Sequence, residues 1–493
     1  SLKWLVFEAA DLPPLGSQRY IIRLHGKGLL TSTCNSSVQK SVDGGKAVLD
    51  NGKVVLNFES GMLAAIAEAS SNGVSIRATS SVLSYTSFNG TENAWDFSTN
   101  GAGYASAKPF PQDAARTVLT TGPLFQELTT LVSKTFGVVT RYRLFRGDEF
   151  AHIYVSAGPL NVTRRSQDVI LRIDTNIKSG GELYTDSNGL EFVKQVRNHR
   201  PWQMGNWTDF YDSHQEVVAS NYYPVTLAAV LPTADAQGDS NPALAVLPAG
   251  MVGAASLQEG SMELMLNRAV LDGDAADPTS CDNSTGNHKV TQHMILMLRN
   301  GHAEKIATTS ASVRVVAAEI ANPALVFASQ WTKRSAGRAL EVKMNTPLPP
   351  QLELLTLLML PPSMNVSFES PHGQQPSIHS SVYLLRIRHM FAAGDGGLRS
   401  NLGLPVTLDL RNAFEPFFRI KKATEMTIDG MQSAADAAAS RLQWKQASAV
   451  GHVDGTVPST PPSTIFTIAP MEIRTWHIEL DSTEVDAMEK VIV

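Results

Sequence analysis

The stretch from Leu171 to Val225 opens LRIDTNIKSGGELYTDSNGLEFVKQVRNHRPWQ and, after a polar insert, closes on SNYYPV. Leu171, Ile173 and Thr175 alternate with Arg172, Asp174 and Asn176, the period of a half-buried strand. Gly180-Gly181 turns the chain. Glu182–Thr185 and Leu190–Val193 then flank Asp186-Ser187-Asn188-Gly189. Asn-Gly supplies the two positive-φ positions of a tight turn, so a two-stranded hairpin closed by that dipeptide is expected.

The same grammar extends in both directions. Val48 to Phe58 reads as a strand, an Asn51-Gly52 turn and a second strand, which Gly61 to Ile66 continues. Leu124 to Leu144 holds two more alternating runs. Arg141, Arg143 and Arg146 cluster at their end, a pattern usual for a solvated face. Gln292 to Leu298 (QHMILML) reads as a buried strand. Leu352 to Leu360 is almost wholly apolar, which predicts a central strand covered on both faces. The Ala-rich piece Ser433 to Ser440 suits a helical turn but, in a chain this β-rich, reads rather as a flexible connection, and Pro458 to Ser463 as an exposed loop.

The totals suit such a fold. The chain has 493 residues, 43% of them hydrophobic, with 35 glycines and 26 prolines. That is too long for one typical domain and turn-rich enough for an all-β protein. We therefore expect several antiparallel β-sandwiches in series: a small N-terminal β piece over 1–45, a large central sandwich over 46–335 and a C-terminal sandwich over 336–493. Forty-one basic against 46 acidic residues give a net charge of −5. That supplies no basic face for nucleic acid or an anionic membrane. The longest aliphatic run, Leu352 to Leu360, contains Glu353 and is about half the ~20 residues of a membrane span. A homo-oligomer is left open.

Only Cys34 and Cys281 are present, so no disulfide scaffold and no Cys-based metal box is expected; pairing with each other, pairing elsewhere and a reduced state all stay open. Asn35, Asn89, Asn161, Asn206, Asn283 and Asn365 each begin an Asn-x-Ser/Thr sequon, which points to the secretory route. The chain starts at Ser1 with no charged-then-apolar leader, as expected of a piece cut from a longer precursor.

Seven motifs occur in order: ELYTDSNG, SNYYPV, GSMELMLNR, LLRIRHMFAAG, PVTLDLRNAF, SRLQW and PMEIRT. Together they resemble the C-terminal half of the class II α-mannosidases, glycoside hydrolase family 38, and the lysosomal branch in particular. The resemblance implies the C-terminal chain of a zinc-dependent retaining α-mannosidase that trims α-linked mannose from glycoproteins in a lysosome or other acidic or secretory compartment. Two carboxyls about 5–5.5 Å apart do the chemistry in such enzymes. In the family those carboxyls, and the His and Asp ligands of the zinc, belong to an N-terminal catalytic chain. Zinc is therefore expected on that partner rather than here, and this chain alone is expected to be inactive.

The residues agree with that division. No HExxH, Gly-x-Ser-x-Gly, Walker loop or dinucleotide fingerprint occurs, and each of the twelve histidines reads as solitary. Asp272, Asp274, Asp277 and Asp282 lack the spacing of a calcium loop and read as a solvated loop. The family has a Ser-Gly-Ala-Tyr phrase whose tyrosine lines the mannose pocket. Gly101-Ala102-Gly103-Tyr104 stands there with one residue inserted, which implies Tyr104 as a substrate-cleft residue. The family's Arg-Gly-x-Gly loop is replaced by LDGDAADPTSCDNSTG, without the arginine. That departure favours an alternative: a mannosidase-derived non-catalytic structural or glycan-binding protein.

Overall fold

The computed structural model describes residues 38–70, 73–86, 104–112, 116–160, 166–199, 217–234, 241–269, 289–300, 306–323, 325–326, 347–360, 382–396, 400–415, 419–442 and 464–480. All six sequons, both cysteines and the acidic loop before Asn283 lie outside them. Among the described residues the fold is all-β, built of antiparallel sheets with few helices. They divide into two compact units, one ending at 323 and one beginning at 325.

The first unit is a sandwich of two large sheets. The ten-stranded sheet runs, in spatial order, Val38–Ser41, Arg116–Thr121, Phe125–Ser133, Val138–Phe145, Ala151–Ala157, Val290–Asn300, Pro242–Pro248, Ala229–Leu231, Glu182–Thr185 and Val193–Val196. The nine-stranded sheet runs Tyr223–Val225, Val252–Ala255, Ser261–Ala269, Gln167–Thr175, Ser75–Thr86, Met62–Glu68, Val54–Glu59 and Ala47–Asp50, with Lys108–Pro109 beside Ser75–Thr86. Alternation decides what each strand buries. Val169, Leu171 and Ile173 face the common core with Leu56, Phe58, Tyr142, Leu144 and Ile153. Ile170, Arg172 and Asp174 therefore fall on the opposite, outer face. Each fully buried Leu, Ile or Phe contributes about 1.5–3 kcal/mol. Inside this core the Tyr142 hydroxyl donates to Ser80 Oγ at 2.7 Å, and burial pushes its phenol up to about 12.

The Asn51-Gly52 turn forms as expected, with Asn51 Oδ1 accepting from the Lys53 and Val54 amides and Gly52 at φ +79°. The hairpin after Gly181 differs. Glu182–Thr185 pairs with Val193–Val196, and Thr185 faces Val193, so seven residues rather than two close the loop. The reason is Asp186, almost fully buried, which draws three backbone amides to its carboxylate: Gly189 at 2.8 Å, Leu227 at 2.7 Å and Ala228 at 2.9 Å. Asn188 Oδ1 accepts from Leu190 and Glu191, which opens the turn further.

The second unit holds a four-stranded sheet, Leu352–Met359, Val382–His389, Ile473–Leu480 and Ile420–Met426 in spatial order, and a two-stranded one, Val406–Asp409 with Ile465–Ile468. Its core gathers Tyr383, Leu385, Ile387, Phe414, Trp476 and Ile478. Two sequence expectations are corrected here. Leu352–Met359 is an edge strand among the described residues, with Leu358 and Met359 about half exposed, not a central strand covered on both faces. Its apolar run mimics a buried strand because only one edge and part of one face are covered. Ala434–Ala439 is a short helix rather than a flexible connection, because Ser433 caps it by accepting from the Asp436 amide.

Candidate functional site

The outer face of the nine-stranded sheet carries a buried polar cluster centred on Arg172. Its strand lies between Ser75–Thr86 and Ser261–Ala269, and the register sets Arg172 directly beside Glu263. Arg172 Nε donates to Glu263 Oε2 at 2.8 Å, and Nη2 donates to the Tyr85 hydroxyl at 3.0 Å. Tyr85 in turn donates to Glu263 Oε1 at 2.8 Å, and Tyr222 donates to the same oxygen at 2.7 Å. The side chains of Arg172 and Glu263 retain 4% and 1% of their exposure. A pair so desolvated persists only because each partner's remaining hydrogen-bonding positions are filled, here by two phenols. Leu83, Ala107, Ile170 and Val218 form a small apolar floor around it. Burial and the Glu263 charge push the Tyr85 phenol far above its ordinary range.

Tyr104 is laid over this cluster. It begins a single helical turn, Tyr104–Ser106, and the next residues, Lys108–Pro109, pair with Ser84 and Leu83 and tie the turn to the sheet. The Arg172 guanidinium carbon stands 3.8 Å from the Tyr104 ring centre. Partial burial, and then the Asp174 carboxylate beside it, raise the Tyr104 phenol to about 12, while Arg172 pulls the other way. Tyr104 is half-buried, so its ring is fixed from below while part of it faces outward. Sequence reasoning singled out Tyr104 but not Arg172, Glu263, Tyr85, Tyr222 or Asp174. The signal lay in the alternation: Arg172 and Asp174 alternate with the core residues Leu171 and Ile173.

The arrangement contains no nucleophile paired with a base and no facing pair of open carboxylates. Among the described residues no three His, Cys, Asp or Glu side chains converge as metal ligands, so these residues do not fit a zinc ion. What the cluster can do is present one oriented phenol and one aromatic ring. No described helix is long and apolar enough to cross a membrane.

Residues 49–276, which hold this cluster, match the Glycosyl hydrolases family 38 C-terminal domain. The chain belongs to that family, as a C-terminal portion. It is 33% identical over 372 residues to lysosomal alpha-mannosidase of Bos taurus and 31% identical over 389 residues to that of Homo sapiens, matches that cover 73% and 77% of this chain. The chain spans about a third of the length of those relatives, 32% and 34%. A crystal structure of an alpha-mannosidase from Enterococcus faecalis shares the fold, with a TM-score of 0.52 at 12% identity over 90% of this chain and 43% of that one.

Proposed function

We propose that this chain is the C-terminal part of a zinc-dependent retaining α-mannosidase that removes α-linked mannose from glycoprotein glycans in a lysosomal or secretory compartment. The zinc and both carboxyls belong to an N-terminal catalytic chain of the same precursor, and this chain supplies scaffold and one side of the cleft. The observation that carries the reading is Tyr104, locked on Arg172 and Asp174 at the outer face of a family 38 domain. A phenol so held presents an aromatic wall and a hydroxyl to a sugar without losing side-chain entropy when the sugar binds.

The test joins this chain to its upstream polypeptide and assays hydrolysis of p-nitrophenyl α-mannoside with and without a chelator. The joined protein should be active and lose activity on chelation, and the 493-residue chain alone should be inactive. Activity of the lone chain, or an inactive joined protein, would overturn the reading. The missing Arg-Gly-x-Gly loop supports the second reading, a non-catalytic glycan-binding or structural relative, and an inactive joined protein is its expected outcome.

A further inference from the structure

The outer face of the ten-stranded sheet carries a second polar cluster, on the opposite side of the sandwich from Tyr104. Two cross-strand rows make it. Glu127, Arg143 and His152 face one another across three strands, and Thr129, Arg141, Tyr154 and His293 across four. The core-facing neighbours Tyr142, Leu144 and Ile153 alternate with them, so these side chains point away from the interior. The helix Ile306–Ala321 covers the adjoining part of this face, through Val313, Val316 and Ala317 on Ile295 and Met297.

The cluster is wired in series. Asp148 Oδ2 lies 3.4 Å from His152 Nε2, and His152 Nδ1 lies 3.0 Å from His293 Nε2. A carboxylate at one end fixes the proton on His152 Nε2. His152 Nδ1 must then accept, and His293 Nε2 must donate to it. This leaves His293 Nδ1 as a bare acceptor, and no described residue hydrogen-bonds to it. The imidazole and phenol rings cover each other's faces: Tyr154 and His293 stack at 4.4 Å and 9°. Polar ring edges, not flat aromatic faces, are therefore what the cluster presents.

Its charges cancel. Arg143 and Arg141 reach Glu127 at 2.7 and 3.5 Å, Asp148 adds a further negative charge, and Glu319 of the bordering helix faces Asp148. Arg141 keeps 43% of its side-chain exposure and can still donate. A face with no net positive charge, one bare acceptor, one guanidinium donor and a phenol fits a ligand that is uncharged and both donates and accepts through hydroxyls.

We propose that this face is a binding site for a neutral saccharide, with His293 Nδ1 accepting from a sugar hydroxyl, Arg141 and Tyr154 completing the contact, and Asp148 and His152 setting the His293 tautomer. The proposal does not rest on the mannosidase reading, since it concerns the other face of the sandwich.

The test is ligand-observed NMR on the 493-residue chain, with methyl α-mannoside, N-acetylglucosamine and glucose as neutral probes and inorganic phosphate as the anionic one. At least one neutral sugar should bind saturably in the millimolar range, and phosphate should not compete. His293→Ala should weaken binding about tenfold, the equivalent of one hydrogen bond at about 1.4 kcal/mol. Asp148→Asn, at an outlying and partly exposed carboxylate, should weaken it several-fold while leaving the fold intact, which covers the case in which His293→Ala unfolds. Lys422→Gln, at an exposed ion pair of the second unit, should change nothing. The proposal is overturned by the absence of saturable binding at about 20 mM of every sugar. Competition by phosphate, or binding that is unchanged by Asp148→Asn, would overturn it equally.

Discussion

The guanidinium of Arg172 lies 3.8 Å beneath the ring of Tyr104 and, on its other side, is bonded to a carboxylate that water scarcely reaches. Arg172 thus belongs to two structures at once: a buried ion pair that the sheet requires and an outward tyrosine that it orients. These roles separate by mutation. Glu263→Gln keeps the shape but leaves the guanidinium buried without its counter-charge. The first unit should lose about 3–5 kcal/mol, read from the urea midpoint. Replacing Arg172 and Glu263 together by Met and Leu should recover most of that loss. A Glu263→Gln protein that unfolds with the wild type would show that the pair contributes nothing.

Tyr104→Phe removes one hydroxyl at a half-exposed position. Stability should fall by no more than about 1 kcal/mol. In the joined mannosidase the same change should lower kcat/KM if the phenol touches substrate, and unchanged kinetics would remove Tyr104 from the cleft wall.

The raised phenol of Tyr104 offers a probe of its orientation. Burial is the larger cause and the Asp174 carboxylate the next, so Asp174→Asn should bring its ionisation from about 12 part of the way back towards 10. Ring-labelled tyrosine NMR would follow it. A titration that does not move would mean that Asp174 does not stand beside the hydroxyl in solution.

Asp186 makes a different prediction. Its carboxylate holds amides of Gly189, Leu227 and Ala228 in a nearly dry site. Asp186→Ala strands all three donors and should cost about 2–4 kcal/mol. Hydrogen exchange at Leu227 and Ala228 should accelerate before global unfolding does. Equal exchange in mutant and wild type would show the loop to be held by its backbone bonds alone.

That loop also marks what a linear reading can see. Alternation located the strand Gln167–Thr175 and the Asn51-Gly52 hairpin, because period and turn chemistry are local. The Asp186 loop was misjudged because its decisive partners, Leu227 and Ala228, lie some 40 positions away. Leu352–Met359 reads as a covered strand but lies at an edge, because an apolar run does not state how many neighbours a sheet will give it. Tyr104 was legible through family resemblance, but its support was not, since Tyr85, Arg172 and Glu263 meet only through register. His152 and His293 read as solitary for the same reason, 141 residues apart in sequence and 3.0 Å apart in space.

That imidazole pair carries a pH dependence whose sign follows from its surroundings. Burial, then the His152 ring, then the Arg143 charge hold the His293 imidazole down at about 4, below its ordinary 6.5. Among the described residues, Tyr154, Arg141, Asp148, Glu127 and the helix residue Glu319 also carry titratable or charged groups near the pair. Above pH 6.5 neither the folded nor the unfolded chain protonates His293, and its contribution to stability is fully present. As pH falls from about 6.5 to 4, the unfolded chain takes up a proton that the folded chain refuses, so stability drops across that window and levels off below it. Imidazole NMR should place the His293 transition below that of an exposed histidine. Arg143→Gln should raise it, but only part of the way, because burial remains. A His293 that titrates near 6.5 in the wild type would mean that the ring is hydrated, and the tautomer assigned to its Nδ1 would fall with it.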